Sequence, residues 1–212
     1  MLLSSSKNLP MSIFSPISFK KQAFKLREDA ILDAATAILG AKSFDLMTMD
    51  DVANAVGISK PSLYKHFKSK EELIGEALIR LIDGASDYLA QIDSELSPAQ
   101  KLSALLEWAL RVRLDGGLPF LPSTSAHVRD MLMRNIKYVT KVVMLNGKLE
   151  KLVVAAQKAG EFDAALPSDV ILYSYYARTC DPAVEYLQTF SKMNHEDIVA
   201  HMLQVAFHGF RP

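Results

Sequence analysis

The chain has 212 residues, 50% of them hydrophobic, and its 24 Lys and Arg balance 24 Asp and Glu. That content suffices for a substantial core and excludes disorder of the whole, while the zero formal charge excludes a general basic attraction to nucleic acid. One cysteine, Cys180, excludes an intrachain disulfide framework and suits a reducing, cytoplasmic compartment, and no apolar run approaches the roughly 20 residues needed to cross a bilayer.

Residues 1–24 are rich in serine, contain Pro10 and Pro16, and carry lysines after the apolar part instead of before it. That order argues against a secretory signal, and the stretch reads as a flexible tail with Met11 as an alternative start of translation. Lys20, Lys21 and Lys25 stand where such a tail could reach a phosphate or a minor groove. Next, Ile31, Ala34, Ala35, Ile38 and Leu39 recur at helical spacing and predict one helix closing at Gly40.

Two short helices joined by a tight turn follow. Thr48 is a capping residue, with Asp50 and Asp51 where the helix dipole favours negative charge. Val52, Ala53 and Val56 form the inner stripe, and Gly57 stops the helix at a position that calls for the left-handed conformation. Ser59 caps the second helix and Pro61 is tolerated in its first turn. Leu63 and Phe67 point inward, which leaves Lys60, Ser62, Tyr64, Lys65 and His66 for solvent or a partner. Ser69-Lys70-Glu71-Glu72 fits a capping box that opens a third helix, and Lys70 in its first turn is disfavoured unless an anion is bound there.

The third helix carries its stripe from Leu73 to about Ile92, too long for a small three-helix domain, so it reaches into a second one. Ser97-Pro98 opens a helix that ends at Gly116-Gly117. After the turn-rich LPFLPSTS segment, periodicity resumes near Ala126, with breaks expected near Arg129 and at Asn146-Gly147, and a further helix stops at Gly160. Ser168 is expected to cap a helix interrupted at Asp181-Pro182 and resuming to about Phe190, and Asn194 to cap the last, to Phe207. No strand signal and no internal repeat is present, so the predicted class is all-α.

The order of turn glycine, Ser-Lys-Pro-Ser-Leu-Tyr-Lys-His-Phe and capped Lys-Glu-Glu-Leu resembles the DNA-binding domain of the tetracycline-repressor (TetR) family, over about residues 27 to 82. Ser62 stands where the family often has glycine or alanine, and Val52 where it often has isoleucine, which leaves base preference open. The resemblance implies a helix-turn-helix domain at 25–70 and a larger helical effector-binding and dimerisation domain at 71–212. Charge follows that division: residues 20 to 70 hold nine Lys or Arg and six Asp or Glu, whereas residues 71 to 212 hold fourteen and eighteen.

In a helix-turn-helix the second helix enters the major groove, so Lys60 and Ser62 are expected at base edges beside the capping Ser59. By the residues they match in the family, Thr48, Tyr64, His66 and Lys70 are expected at phosphates of a double-stranded operator. The same resemblance implies a homodimer formed by residues 168 to 190 and 194 to 207, and an effector pocket in the helical domain. Candidate lining residues, chosen as large or polar side chains on apolar helices, are Trp108, Arg111, Phe120, His127, Met131, Tyr173, Tyr176 and Arg178. No catalytic motif is present, and His201 and His208 lack the i, i+4 spacing of a two-histidine metal site, so neither an enzyme, a metal nor a cofactor is expected. The expected function is a ligand-responsive transcriptional regulator, a repressor before an activator; the alternative is a DNA-binding protein of the same fold that acts through a protein partner.

Overall fold

Hydrophobic residues at helical spacing, punctuated by caps and glycines, fold into helices alone among the described residues. A computed structural model of the chain describes residues 16–42, 44–117 and 126–210. The first unit is α1 (Pro16–Ala41), a 3-10 turn (Phe44–Leu46), α2 (Met49–Val56) and α3 (Lys60–Tyr64). It continues into α4 (Lys70–Gln91) and then α5 (Pro98–Leu114), α6 (Ala126–Arg134), α7 (Ile136–Lys158), α8 (Ser168–Thr179), α9 (Ala183–Phe190) and α10 (His195–His208).

Helix α1 packs across α2 and α4, and α2 packs on α3, so Ile31, Val52, Leu63 and Leu73 meet in one fully buried nucleus. Burying each such aliphatic side chain contributes about 1.5 to 3 kcal/mol, which offsets the poor intrinsic stability of helices as short as α2 and α3. The long α4 then lies against α7 and α5, while α5 also packs on α8 and α10. One helix therefore belongs both to the small head and to the body.

Several expectations need correction. The helix expected from Ile31 begins at Pro16, so residues 16–24 extend α1 instead of belonging to a flexible tail; nothing after Pro16 breaks helical geometry, and proline is tolerated in a first turn. The rest of the tail expectation lies outside the described residues. The break expected near Arg129 falls at Asn135, whose side-chain oxygen accepts from the Tyr138 N–H at 3.1 Å. No break occurs at Asn146-Gly147, because Leu145 and Leu149 on either side are buried and their burial outweighs the roughly 1 kcal/mol cost of a helical glycine. Ser168 starts α8 without capping it; Pro167 holds the cap position with no side-chain hydrogen bond.

Candidate nucleic-acid interface

The turn between α2 and α3 is fixed by hydrogen bonds at both ends. Thr48 Oγ1 accepts from the Asp51 N–H at 3.1 Å while the Asp51 carboxylate accepts from the Thr48 N–H at 2.9 Å, a reciprocal cap that closes the first turn of α2. The Thr48 N–H, then its hydroxyl and the nearby Lys42, hold the Asp51 carboxyl below its usual value. At the other end Gly57 has φ 74° and ψ 33°, a conformation that costs about 1 to 2 kcal/mol for a residue with a Cβ. Its N–H and that of Ile58 return to α2 carbonyls, and Ser59 Oγ then accepts from the Ser62 N–H to start α3.

Leu63 and Phe67 anchor α3 from beneath, at 0% and 4% exposure, and this orientation turns Lys60 and Tyr64 to solvent with Ser62 half-buried beside them. The ammonium and the phenol, four residues apart, thus share one side of the short helix, and the half-buried hydroxyl stands on another. Lys60 Nζ is not free: it donates to Asp50 Oδ2 at 2.8 Å, and that hydrogen bond and charge raise its pKa. Asp50 was not recognisable as its partner from spacing, because the two lie ten residues apart across a turn.

Two residues expected at phosphates are placed elsewhere. The His66 side chain is only 2% exposed, stacked on Phe24 of α1 with ring centroids 4.0 Å apart, and its Nδ1 lies 3.8 Å from Glu28 Oε1 without a hydrogen-bond partner. The α1 extension covers it. The signal for that cover was present in the sequence, since Phe24, Ile31 and Ile38 are spaced by seven and continue the inner stripe one heptad back. Lys70 Nζ donates to the carbonyls of Phe44 and Met47 at 3.1 and 3.2 Å and sits 4.2 Å from the centre of the Phe44 ring. Internal carbonyls therefore resolve the unfavourable meeting of a cation with a helix N-terminus, with no need of a phosphate. The expected capping box at Ser69 is half formed: Ser69 Oγ accepts from the Glu72 N–H, but the Glu72 carboxylate accepts from the Lys68 N–H.

The effector candidates do not converge. Tyr173 and Tyr176 line a cleft of about 340 Å³ with Tyr138, Val142, Asn146, Glu150 and, from α4, Ile82. Arg178 instead lines a second cleft of about 360 Å³ beside Tyr175, Phe162 and Phe207, and pairs with Asp181 at 3.0 Å. Trp108 stacks on Tyr88, and Met131 packs against the core. Arg111 bridges Glu107 and Glu196 at 2.8 and 2.5 Å, an arrangement that accounts for its charge within the protein. Phe120 lies outside the described residues, and of His127 only the backbone, in α6, is described. Burial raises the pKa of Tyr138 and Tyr176, so both phenols stay protonated donors at the cleft. Among the described residues no helix is long and apolar enough to cross a membrane.

Comparison with known proteins supplies the family. The profile of the family described as bacterial regulatory proteins, tetR family, matches residues 31–77. The HTH-type transcriptional repressor KstR2 of Mycolicibacterium smegmatis is 36% identical over 80 residues, 37% of this chain and 39% of that protein. The match thus spans about two fifths of that relative's length. KstR2 of Rhodococcus jostii is 24% identical over 187 residues, 86% of this chain and 90% of that protein. The fold is also that of FadR from Bacillus subtilis, solved in complex with stearoyl-CoA, at a TM-score of 0.60 and 13% identity over 86% of this chain and 99% of that one. These similar proteins are regulators and not enzymes. With the profile lying over the α2–turn–α3 unit, residues 31–77 belong to the TetR family of bacterial regulatory proteins, and the all-helical body has the fold of such regulators along most of its length.

Proposed function

We propose that this chain is a transcriptional repressor that binds a palindromic operator as a homodimer and leaves it when a small molecule enters the helical domain. The observation that carries the reading is the exposed side of α3 with Lys60 and Tyr64, which, with the half-buried Ser62 on another side and held by a buried Leu63 and a left-handed Gly57, offer donors and acceptors on a rod narrow enough for the major groove. Residues 25–70 act as the reading head and 71–212 as the effector and dimerisation domain, with α4 common to both. Thr48, Ser59, Lys60, Ser62 and Tyr64 form the DNA-facing set, and His66 and Lys70 support it from within.

Exposed Val170, Tyr173, Tyr186 and Phe190 on α8 and α9 support dimerisation, since an apolar surface of this kind suits a second copy. The outward face of α10 is polar, with Glu196, His201 and Gln204, so α8 and α9 supply most of the apolar contact. The cleft lined by Tyr138, Tyr173 and Tyr176 is the better seat for an effector, because Ile82 carries its wall into α4, the helix whose first turn is tied to the head. Its volume and mostly apolar wall suit a small apolar molecule with one hydrogen-bonding group. The test is selection of duplexes from a randomised pool, followed by footprinting and light scattering. Two protected half-sites about 34 to 36 Å or a multiple apart, with a particle of twice the chain mass, support the reading; failure to select any duplex overturns it.

A further inference from the structure

Helix α1 extends about three and a half turns before Asp29, and its residues 16 to 27 contain Lys20, Lys21, Lys25 and Arg27 without a single acid. All four cations are exposed, and none is paired with a carboxylate among the described residues. Phe24 lies in their midst, stacked on His66, which follows directly on the carboxyl end of α3 and is buried by that contact. In an α-helix residues three and four apart share a face, so Lys20, Lys21 and Arg27 flank Phe24 on the side turned to the reading helix. The rise of about 1.5 Å per residue puts Lys20 and Lys21 about 4 to 6 Å beyond Phe24 along the axis. Lys65, also exposed, adds a fifth cation at the carboxyl end of α3.

We propose that the α1 extension is a second DNA-binding element, which lays Lys20, Lys21 and Arg27 on the phosphate backbone outside the base pairs read by α3. The inference rests on the operator-binding reading above and adds to it a partner surface outside the helix-turn-helix. Charge selects the occupant, since a strip of cations with one acid, Glu28, at its inner end beside His66, set next to a helix meant for the major groove, complements a run of phosphates. The Phe24–His66 stack makes the strip a fixed element instead of a loose arm: the ring sets the direction of the extension relative to α3, so the cations reach the duplex with little ordering cost. The unpartnered His66 Nδ1 marks what the contact costs in lost hydration.

The test uses the full chain and the duplex it selects from a randomised pool, in a short form limited to the protected base pairs contacted by α3 and a long form extended by eight base pairs on each side. Fluorescence anisotropy is measured across salt concentrations. The wild type is expected to prefer the long duplex, and the K20A/K21A/R27A variant to lose that preference, with the salt slope on the long form falling by about two to three. Phe24→Ala keeps every charge and is expected to lose most of the same preference while binding the short form as the wild type does. A triple variant with the wild-type slope, or Phe24→Ala with an undiminished preference, overturns the proposal. A Lys60→Ala variant that loses the short duplex while the long-form preference of the triple variant stays intact also overturns it, and leaves the operator reading standing. A wild type that selects no duplex sinks both.

Discussion

Lys70 Nζ donates to the Phe44 carbonyl at 3.1 Å and so ties the first turn of α4 to the 3-10 turn that precedes the reading pair. With the Met47 carbonyl accepting a second N–H, the lysine is a strut between lever and head. Lys70→Ala is expected to cost about 1 to 2 kcal/mol, since a charged donor leaves two carbonyls without it. For a chain of this length that lowers Tm by roughly 2 to 8 °C. The salt slope of DNA binding is expected to stay at the wild-type value. Thermal denaturation and a salt titration check the two halves, and an unchanged Tm with a slope reduced by about one would assign the ammonium to a phosphate instead.

Lys60 is held by Asp50, so under the proposed function it must exchange that carboxylate for DNA before it reaches a base edge. Lys60→Ala is expected to weaken operator binding by roughly tenfold and to relax preference at one or two base pairs. Asp50→Asn frees the ammonium and removes an anion from the DNA-facing side, so it is expected to tighten binding, most visibly at low salt where screening is weak. Anisotropy titrations on matched and singly substituted duplexes measure both, and weaker binding by Asp50→Asn would show that the pair positions Lys60.

The depressed carboxyls define an acid limb. Asp51, held down by the Thr48 N–H and hydroxyl, and Glu196, held down by Arg111, both have folded pKa values below their ordinary ones. A depressed carboxylate contributes stability that is fully present above the unfolded value and is lost as pH falls through the folded one. Stability is therefore expected to hold down to about pH 5 and to decline from about pH 4 downward, where these groups protonate. Asp51→Asn is expected to be less stable at neutral pH and to show a shallower decline. Denaturant melts at a series of pH values follow the difference, and parallel curves for the two proteins would remove Asp51 from the acid limb.

Gly147 lies inside α7, where an added Cβ would meet nothing within 4 Å. Gly147→Ala is expected to stabilise the chain by about 0.5 to 1 kcal/mol, through the entropy of the unfolded state. The same residue lines the cleft assigned to the effector, so the variant is also expected to narrow the set of compounds that release DNA. A raised Tm with an unaltered effector response would place the effector in the other cleft.

Local patterns settled most of the helix ends. Thr48, Ser59, Ser97 and Asn194 announce their helices because a short oxygen-bearing side chain can reach an orphan N–H two or three residues on, and that geometry is the same in any fold. Gly57 is equally legible, since only a glycine adopts its φ without strain. Asn146-Gly147 misled because the local preference for a turn is smaller than the burial of the leucines beside it, and burial is a property of the neighbours.

Residue order by itself determined the helical class, the capped pair around Gly57 and the chemistry displayed by α3, all of which depend on contacts within a few positions. Only the assembled molecule decided what Lys60, His66, Lys70 and Arg111 touch. Their partners, Asp50, Phe24, the Phe44 and Met47 carbonyls and Glu196, stand 10 to 85 positions away in the chain. A long side chain takes whichever acceptor or ring the packing of other helices brings within about 3 to 4 Å, and no pattern of nearest neighbours encodes that distance.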